Sequence, residues 1–198
     1  METVLYSIAL VTLFSCAKSY HPISTNYLNF QNKQTEGEIS LSYHYGVLKE
    51  TGNHKYAKKE DAKNVKIVAL RITNNSENDI VIGKDKMVYS GNKPITLLAP
   101  EFVFKELKQN VPIYLLYLLL TPMQLNVTNN GVTNSTPIGL IIGPAITGLN
   151  VGVAASANTK FKTELFTHFL NGKTIPAGET ITGLIGIAEL GYNPLTLK

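Results

Sequence analysis

The sequence runs to 198 residues, with 44% hydrophobic residues, a net charge of +4 and one cysteine. That length is enough for one domain with a real core. A lone cysteine excludes an intramolecular disulfide. The small basic excess, partly collected in residues 54–63 where Glu60 and Asp61 interrupt it, reads as a solvated loop. No basic platform interleaved with aromatics occurs, which argues against a nucleic-acid partner.

The first fifteen residues carry an apolar stretch from Val4 to Phe14 that ends at Leu13-Phe14-Ser15-Cys16. About eleven apolar residues are too few to cross a hydrocarbon core of roughly 30 Å, which takes about twenty in a helix. The segment therefore reads as a signal peptide, residues 1–15, removed before folding. Its last four residues resemble a bacterial lipobox, with small Ser15 before the cysteine and Leu13 two residues earlier. Phe14 is bulkier than is usual there, and no Lys or Arg precedes the apolar run. The resemblance implies that Cys16 becomes the first mature residue and carries acyl chains, each buried CH₂ contributing about 0.8 kcal/mol to a membrane anchor. It implies a location in the bacterial cell envelope, expected at the outer membrane. Loss of residues 1–15 removes only Glu2 among the charged groups, leaving a net charge of +5. Residues 16–37, polar and without either period, are expected to form a tether.

From Ile39 the pattern changes. Ile39, Leu41, Tyr43, Tyr45 and Val47 alternate with smaller or polar residues, the period of a half-buried strand. Val65 to Thr73 predicts a second strand, with Val68, Leu70 and Ile72 on one face, and residues 74–78 a turn. Asp79 to Gly83, Lys86 to Ser90 and Pro94 to Leu98 continue as short strands. At the far end Ile175-Pro176-Ala177-Gly178-Glu179-Thr180 predicts a turn that delivers a strand from Ile181 to Glu189. The strand ending in Ile-Thr-Asn-Asn-Ser and the late Pro-Ala-Gly-Glu-Thr turn resemble the immunoglobulin-like domains of exported bacterial lipoproteins. The likeness covers residues 38–98 and 173–189. It implies an α+β chain, an immunoglobulin-like antiparallel β-sandwich over residues 38–198 with an α-helical hairpin inserted at about 100–171. Such sandwiches bind or scaffold, and the fold itself names no activity.

The insertion opens with Pro100 at a first helical position and an i,i+4 pair of Glu101 and Lys105. Val103, Leu107, Val111, Tyr114 and Leu118 recur at helical spacing, and Pro112 must break or kink that helix. Ile113 to Leu120 is nearly all apolar. A polar loop is expected from Asn126 to Thr136. The uncharged run from Pro137 to Thr159 then carries Gly139, Gly143, Gly148, Gly152 and Ser156, similar to the spacing of glycine-zipper helices. At about 100° per residue Gly148, Gly152 and Ser156 fall within about 80° of one another, a candidate groove for a neighbouring helix. Gly139 and Gly143 lie on roughly the opposite side, and Pro144 argues against one straight helix. Lys160 to Leu170 predicts an amphipathic helix with Phe161, Leu165, Phe166 and Phe169 inward and Gly172 as its stop. Two readings compete: a hairpin packed on the sandwich, or residues 111–157 as a membrane-inserting or self-associating element.

The histidines, at positions 21, 44, 54 and 168, fall in no metal-binding spacing. No Gly-x-Ser-x-Gly elbow, phosphate-binding loop or dinucleotide fingerprint occurs. The expectation is a non-enzymatic chain with no catalytic, metal or cofactor-binding residues. It is expected to act as a binding or assembly component of the envelope, with the membrane as partner through Cys16. A membrane-inserting or pore-associated protein is the alternative.

Overall fold

The computed structural model describes residues 16–30 and 32–198, the side chain of Asn26 excepted. The signal peptide expected over residues 1–15 lies outside the described residues. The fold is α+β, and the chain forms two compact units. The larger takes Tyr20–Lys108 and Thr159–Lys198; the smaller takes Gln109–Asn158 with the chain up to Ser19.

In the larger unit, strands β1 (Asn32–Glu36), β2 (Ile39–His44), β3 (Val65–Asn74) and β10 (Thr180–Ala188) form one antiparallel sheet in that order. The alternation of β2 does what its period predicts, burying Ile39, Leu41 and Tyr43 while Ser40, Ser42 and His44 stay half-buried. It stops at His44, earlier than the sequence reading, because Gly46 turns the chain at φ +72° into helix α1 (Val47–Glu50). Strand β1 is a correction to the expected tether. All five of its residues are exposed, so it has no apolar period, yet its backbone pairs with β2 from Asn32↔Tyr43 to Glu36↔Ile39. Upstream, Tyr20 and Ile23 are buried, and the Ile23 amide donates to Glu164 Oε1 at 2.6 Å. Residues 54–63 are a second correction. They form helix α2 (His54–Lys63), whose inward positions are Tyr56 and Glu60. One of these is acidic, which hides the helical period.

The short strands β4 (Ile80–Val81), β5 (Val88–Ser90) and β6 (Lys93–Pro94) follow, then helix α3 (Pro100–Leu107). Two strands lie near the C-terminal end of the chain, β9 (Thr174–Ile175) and β11 (Leu195–Leu197). Strand β4 pairs with β9, and β11, β5 and β6 make a three-stranded sheet. One core joins them: Leu41, Val68, Leu70, Ile72, Ile185 and Ile187 of the four-stranded sheet meet Val88, Leu195 and Leu197 of the other. The two turns that carry the lipoprotein-domain resemblance are pinned together. Fully buried Asn74 donates from Nδ2 to the carbonyls of Asn78 and Ile175, and the Gly178 amide donates to the Asn74 carbonyl at 2.8 Å. On the other face of β3, Ile67 and Ala69 are as buried as the core residues, and Tyr56, Val103, Leu107, Phe161 and Leu165 supply the helical side of this unit. Gly186 of β10 permits that closeness, since a Cβ there would strike Val103 and lie 3.3 Å from the Phe169 ring.

The smaller unit departs most from expectation. Extended backbone at Lys108 and Asn110 ends α3, and Val111–Leu120 is a 3-10 helix with Pro112 near its start. The expected Asn-rich loop is a hairpin, β7 (Leu125–Asn129) paired with β8 (Val132–Thr136). Asn130 and Gly131 both take positive φ, the conformation of a two-residue hairpin turn. Helix α4 then runs unbroken for 30 residues, Gly139–His168, with Pro144 inside it. It merges the glycine-bearing run and the amphipathic segment that the sequence reading separated. The expected α-helical hairpin is thus a 3-10 helix, a β-hairpin and one long α-helix.

Candidate functional site

From Gln109 to Thr159 the sequence holds no Asp, Glu, Lys, Arg or His, and charge resumes at Lys160, Lys162 and Glu164. The charge-free run and the smaller unit end together, at Asn158 and Thr159. Within the unit a small core forms from Tyr114, Tyr117 and Ala154, with Val111, Leu120, Ile146, Val151 and Ala17 against it. Much of the remaining apolar surface faces outward. Leu119 is 75% exposed, Ile141 76% and Leu149 72%, and Leu115, Leu116, Leu125, Val127, Val132 and Leu140 are exposed as well. Soluble surfaces scatter such residues singly rather than gathering them without a charge among them.

The buried polar groups of this unit bond within it. Thr147 Oγ1 donates to the Gly143 carbonyl at 2.9 Å, and Asn150 Nδ2 to that of Ile146 at 2.8 Å. Asn158 bonds both backbone groups of Gln109, accepting from its amide at 2.8 Å and donating to its carbonyl at 2.9 Å. The N-terminal residues are clipped to the same amides. The Ala17 amide donates to Asn150 Oδ1 at 2.6 Å, while Gln109 accepts from the Lys18 amide at 3.2 Å and donates to its carbonyl at 2.6 Å. Exposed Cys16, the predicted lipid-attachment residue, is next to Ala17 and belongs to the same smaller unit as the charge-free run.

The predicted groove of Gly148, Gly152 and Ser156 holds no neighbouring helix. All three are exposed, and a Cβ added to Gly148 or Gly152 meets nothing within 4 Å. The close approach occurs on the opposite side of the helix. A Cβ at Gly139 would collide with the Leu120 and Thr121 carbonyl oxygens, and one at Gly143 would lie 2.9 Å from Thr121 Oγ1 and 3.2 Å from the Tyr117 carbonyl. The two sets are separated by helix geometry, because the step from Gly143 to Gly148 is five residues, about 500°, which turns the face by roughly 140°.

Helix α4 is long and apolar enough to cross a membrane, with a mean hydropathy of 1.6 in its most apolar window. Its part within the smaller unit, Gly139–Asn158, spans about 30 Å at roughly 1.5 Å per residue. Reading the sequence as separate apolar runs missed the site's broadest signal, the continuous absence of charge across runs and polar hairpin alike. Among the described residues no three His, Cys, Asp or Glu side chains stand together as a metal site. No protein-family model matches the sequence, and no curated protein or solved structure matches it.

Proposed function

We propose that this protein is a membrane-attached, non-catalytic binding or assembly component of a bacterial envelope, and that Gln109–Asn158 is the part that enters lipid. On this reading the larger unit is an immunoglobulin-like sandwich, Cys16 carries the acyl anchor, and the outer membrane is its location. The observation that carries the proposal is the charge-free run Gln109–Asn158. It exposes leucine, isoleucine and valine, while its buried amides and hydroxyls bond internally, as hydrocarbon requires of polar groups. A buried helix of an aqueous protein would cover Ile141 and Leu149, which here are mostly exposed. The clip at Ala17 and Lys18 keeps Cys16 with the unit that would share its membrane. The outward stripe of Gly148, Gly152 and Ser156 would then meet lipid or the same helix of a second copy.

Vesicle flotation tests this with the full chain carrying Cys16→Ser, so that no acyl chain contributes. The expected result is flotation with the lipid, lost when Ile141→Asp and Leu149→Asp are added, since a charge near the bilayer centre costs about 2.5–3.5 kcal/mol. A Cys16→Ser chain that stays in the aqueous phase as a monomer overturns the membrane assignment. The anchor is read separately, by fatty-acid incorporation into the parent and its loss in Cys16→Ser.

A further inference from the structure

The face of the four-stranded sheet turned away from the shared core changes character along its length. Near one end, Val65, Ile67 and Ala69 of β3 and Leu184 of β10 are buried. The next residues of β3 on that face are Arg71 and Thr73. Arg71 stands opposite Ser42 of β2 and Thr182 of β10, and Ser42 stands opposite Lys33 of β1. In the neighbouring row Thr73 stands opposite Ser40 and Thr180, and Ser40 opposite Thr35. Across four strands these two rows contain only hydroxyls and cations.

Arg71 is the only arginine among eighteen basic residues. It is half-buried, and its guanidinium carbon lies 4.4 Å from the centroid of the Phe30 ring. Among the described residues neither Arg71 nor Lys33 has a carboxylate within ion-pair distance. With Leu28, Asn29 and Asn75 at its rim, this face forms a cavity of about 500 Å³, none of whose lining residues is acidic. Such a volume suits a small molecule. The cation–π contact with Phe30 holds the guanidinium in place, and its planar fork of donors matches an oxyanion in a way a lysine cannot. The surrounding hydroxyls and amides both donate and accept, which is what a polyol requires.

We infer that this cavity binds a small polyhydroxylated oxyanion, of the sugar-acid or sugar-phosphate class. Arg71 and Lys33 hold the charged group, and Ser40, Ser42, Thr73 and Asn75 meet the hydroxyls. The assignment is independent of the membrane reading, since every residue it uses lies in the larger unit. Calorimetric titration of the full chain with glucuronate, glucose 6-phosphate, glucose and inorganic phosphate tests it. One of the two charged sugars should bind at least tenfold more tightly than glucose and than phosphate alone. The stronger of the pair tells a planar from a tetrahedral anion. Arg71→Gln should abolish that binding and Arg71→Lys weaken it tenfold or more. Lys33→Gln, on an exposed strand where folding is not at stake, should weaken it several-fold. The inference falls if neither charged sugar outbinds glucose, if phosphate alone binds as well as glucose 6-phosphate, or if Lys33→Gln and a folded Arg71→Gln bind like the parent.

Discussion

The two units of this chain solve the same problem in opposite ways. Apart from Glu2 and Lys18, every Asp, Glu, Lys and Arg lies in residues 20–108 or 159–198, where polar surface encloses a core of leucine, isoleucine and valine. Residues 109–158 have no charge to place outside. They turn their buried polar side chains onto their own backbone, and leave aliphatic ones exposed beside an exposed polar hairpin. The difference teaches that side-chain exposure must be read against the solvent a surface is built for. On the membrane reading proposed above, Leu70 inside one unit and Leu119 outside the other both meet hydrocarbon.

Truncation breaks or sharpens that contrast most strongly. Leu70→Ala opens a cavity in the core of the larger unit and should cost about 2–5 kcal/mol, seen as a lower urea midpoint. Leu119→Ala, at a site 75% exposed, should leave the midpoint unchanged in detergent-free buffer. Equal losses at the two positions would mean that Leu119 is packed, and the contrast between the units would dissolve.

Next in size is a charge that the larger unit does bury. Glu60 accepts the Ile67 amide at 2.7 Å, and burial pushes its carboxyl up to about 7 from 4.5. Because the folded value is the higher, the unfolded chain ionises first as pH rises. The stability Glu60 contributes is therefore fully present below about 4.5 and is lost as pH climbs through 7. The loss is on the order of 3 kcal/mol at about 1.4 kcal/mol per unit. Unfolding free energies at pH 4.5, 6 and 8 should show the parent losing ground to Glu60→Gln across that window. Parallel curves would place the carboxylate in water.

The smaller effects compare glycines within α4. Gly139→Ala presses a methyl onto the Leu120 and Thr121 carbonyls and should destabilise by about 1–3 kcal/mol, as overpacking does. Gly152→Ala points into open space and should be neutral, or stabilising by up to about 1 kcal/mol through helix propensity. Melting temperatures of the two variants settle the order. A drop at Gly152 alone would put a neighbouring helix on the exposed stripe.

The sequence made the larger unit's ladder legible wherever a period or a turn residue marked it. The last long strand, expected at Ile181 to Glu189, is Thr180–Ala188, and the helix expected from Pro100 starts there. Strand β1 was illegible because Asn32–Glu36 has no apolar face and is held by backbone pairing alone. Helix α2 was hidden by a buried acid at an inward position, and the β7–β8 hairpin by side chains that are all exposed. The Arg71 cavity needs the register of four strands before its residues become neighbours. Pro144 misled for a different reason: it falls early in α4, where little of the helix precedes it, so the helix continues beyond it.

Strand β1 has one more consequence. It is the outer strand of the four-stranded sheet, and among the described residues no strand pairs with its far edge, a template on which another chain's strand could grow. On the opposite side, the amides of Leu98 and Leu170 already bond to β10 carbonyls. Lys33 and Glu36 place charge of both signs along the open rim, with no apolar residue between them. A segment whose composition made it look like a mere linker thereby discourages the fibril-like addition of further copies, a hazard for any chain that also carries bare aliphatic surface.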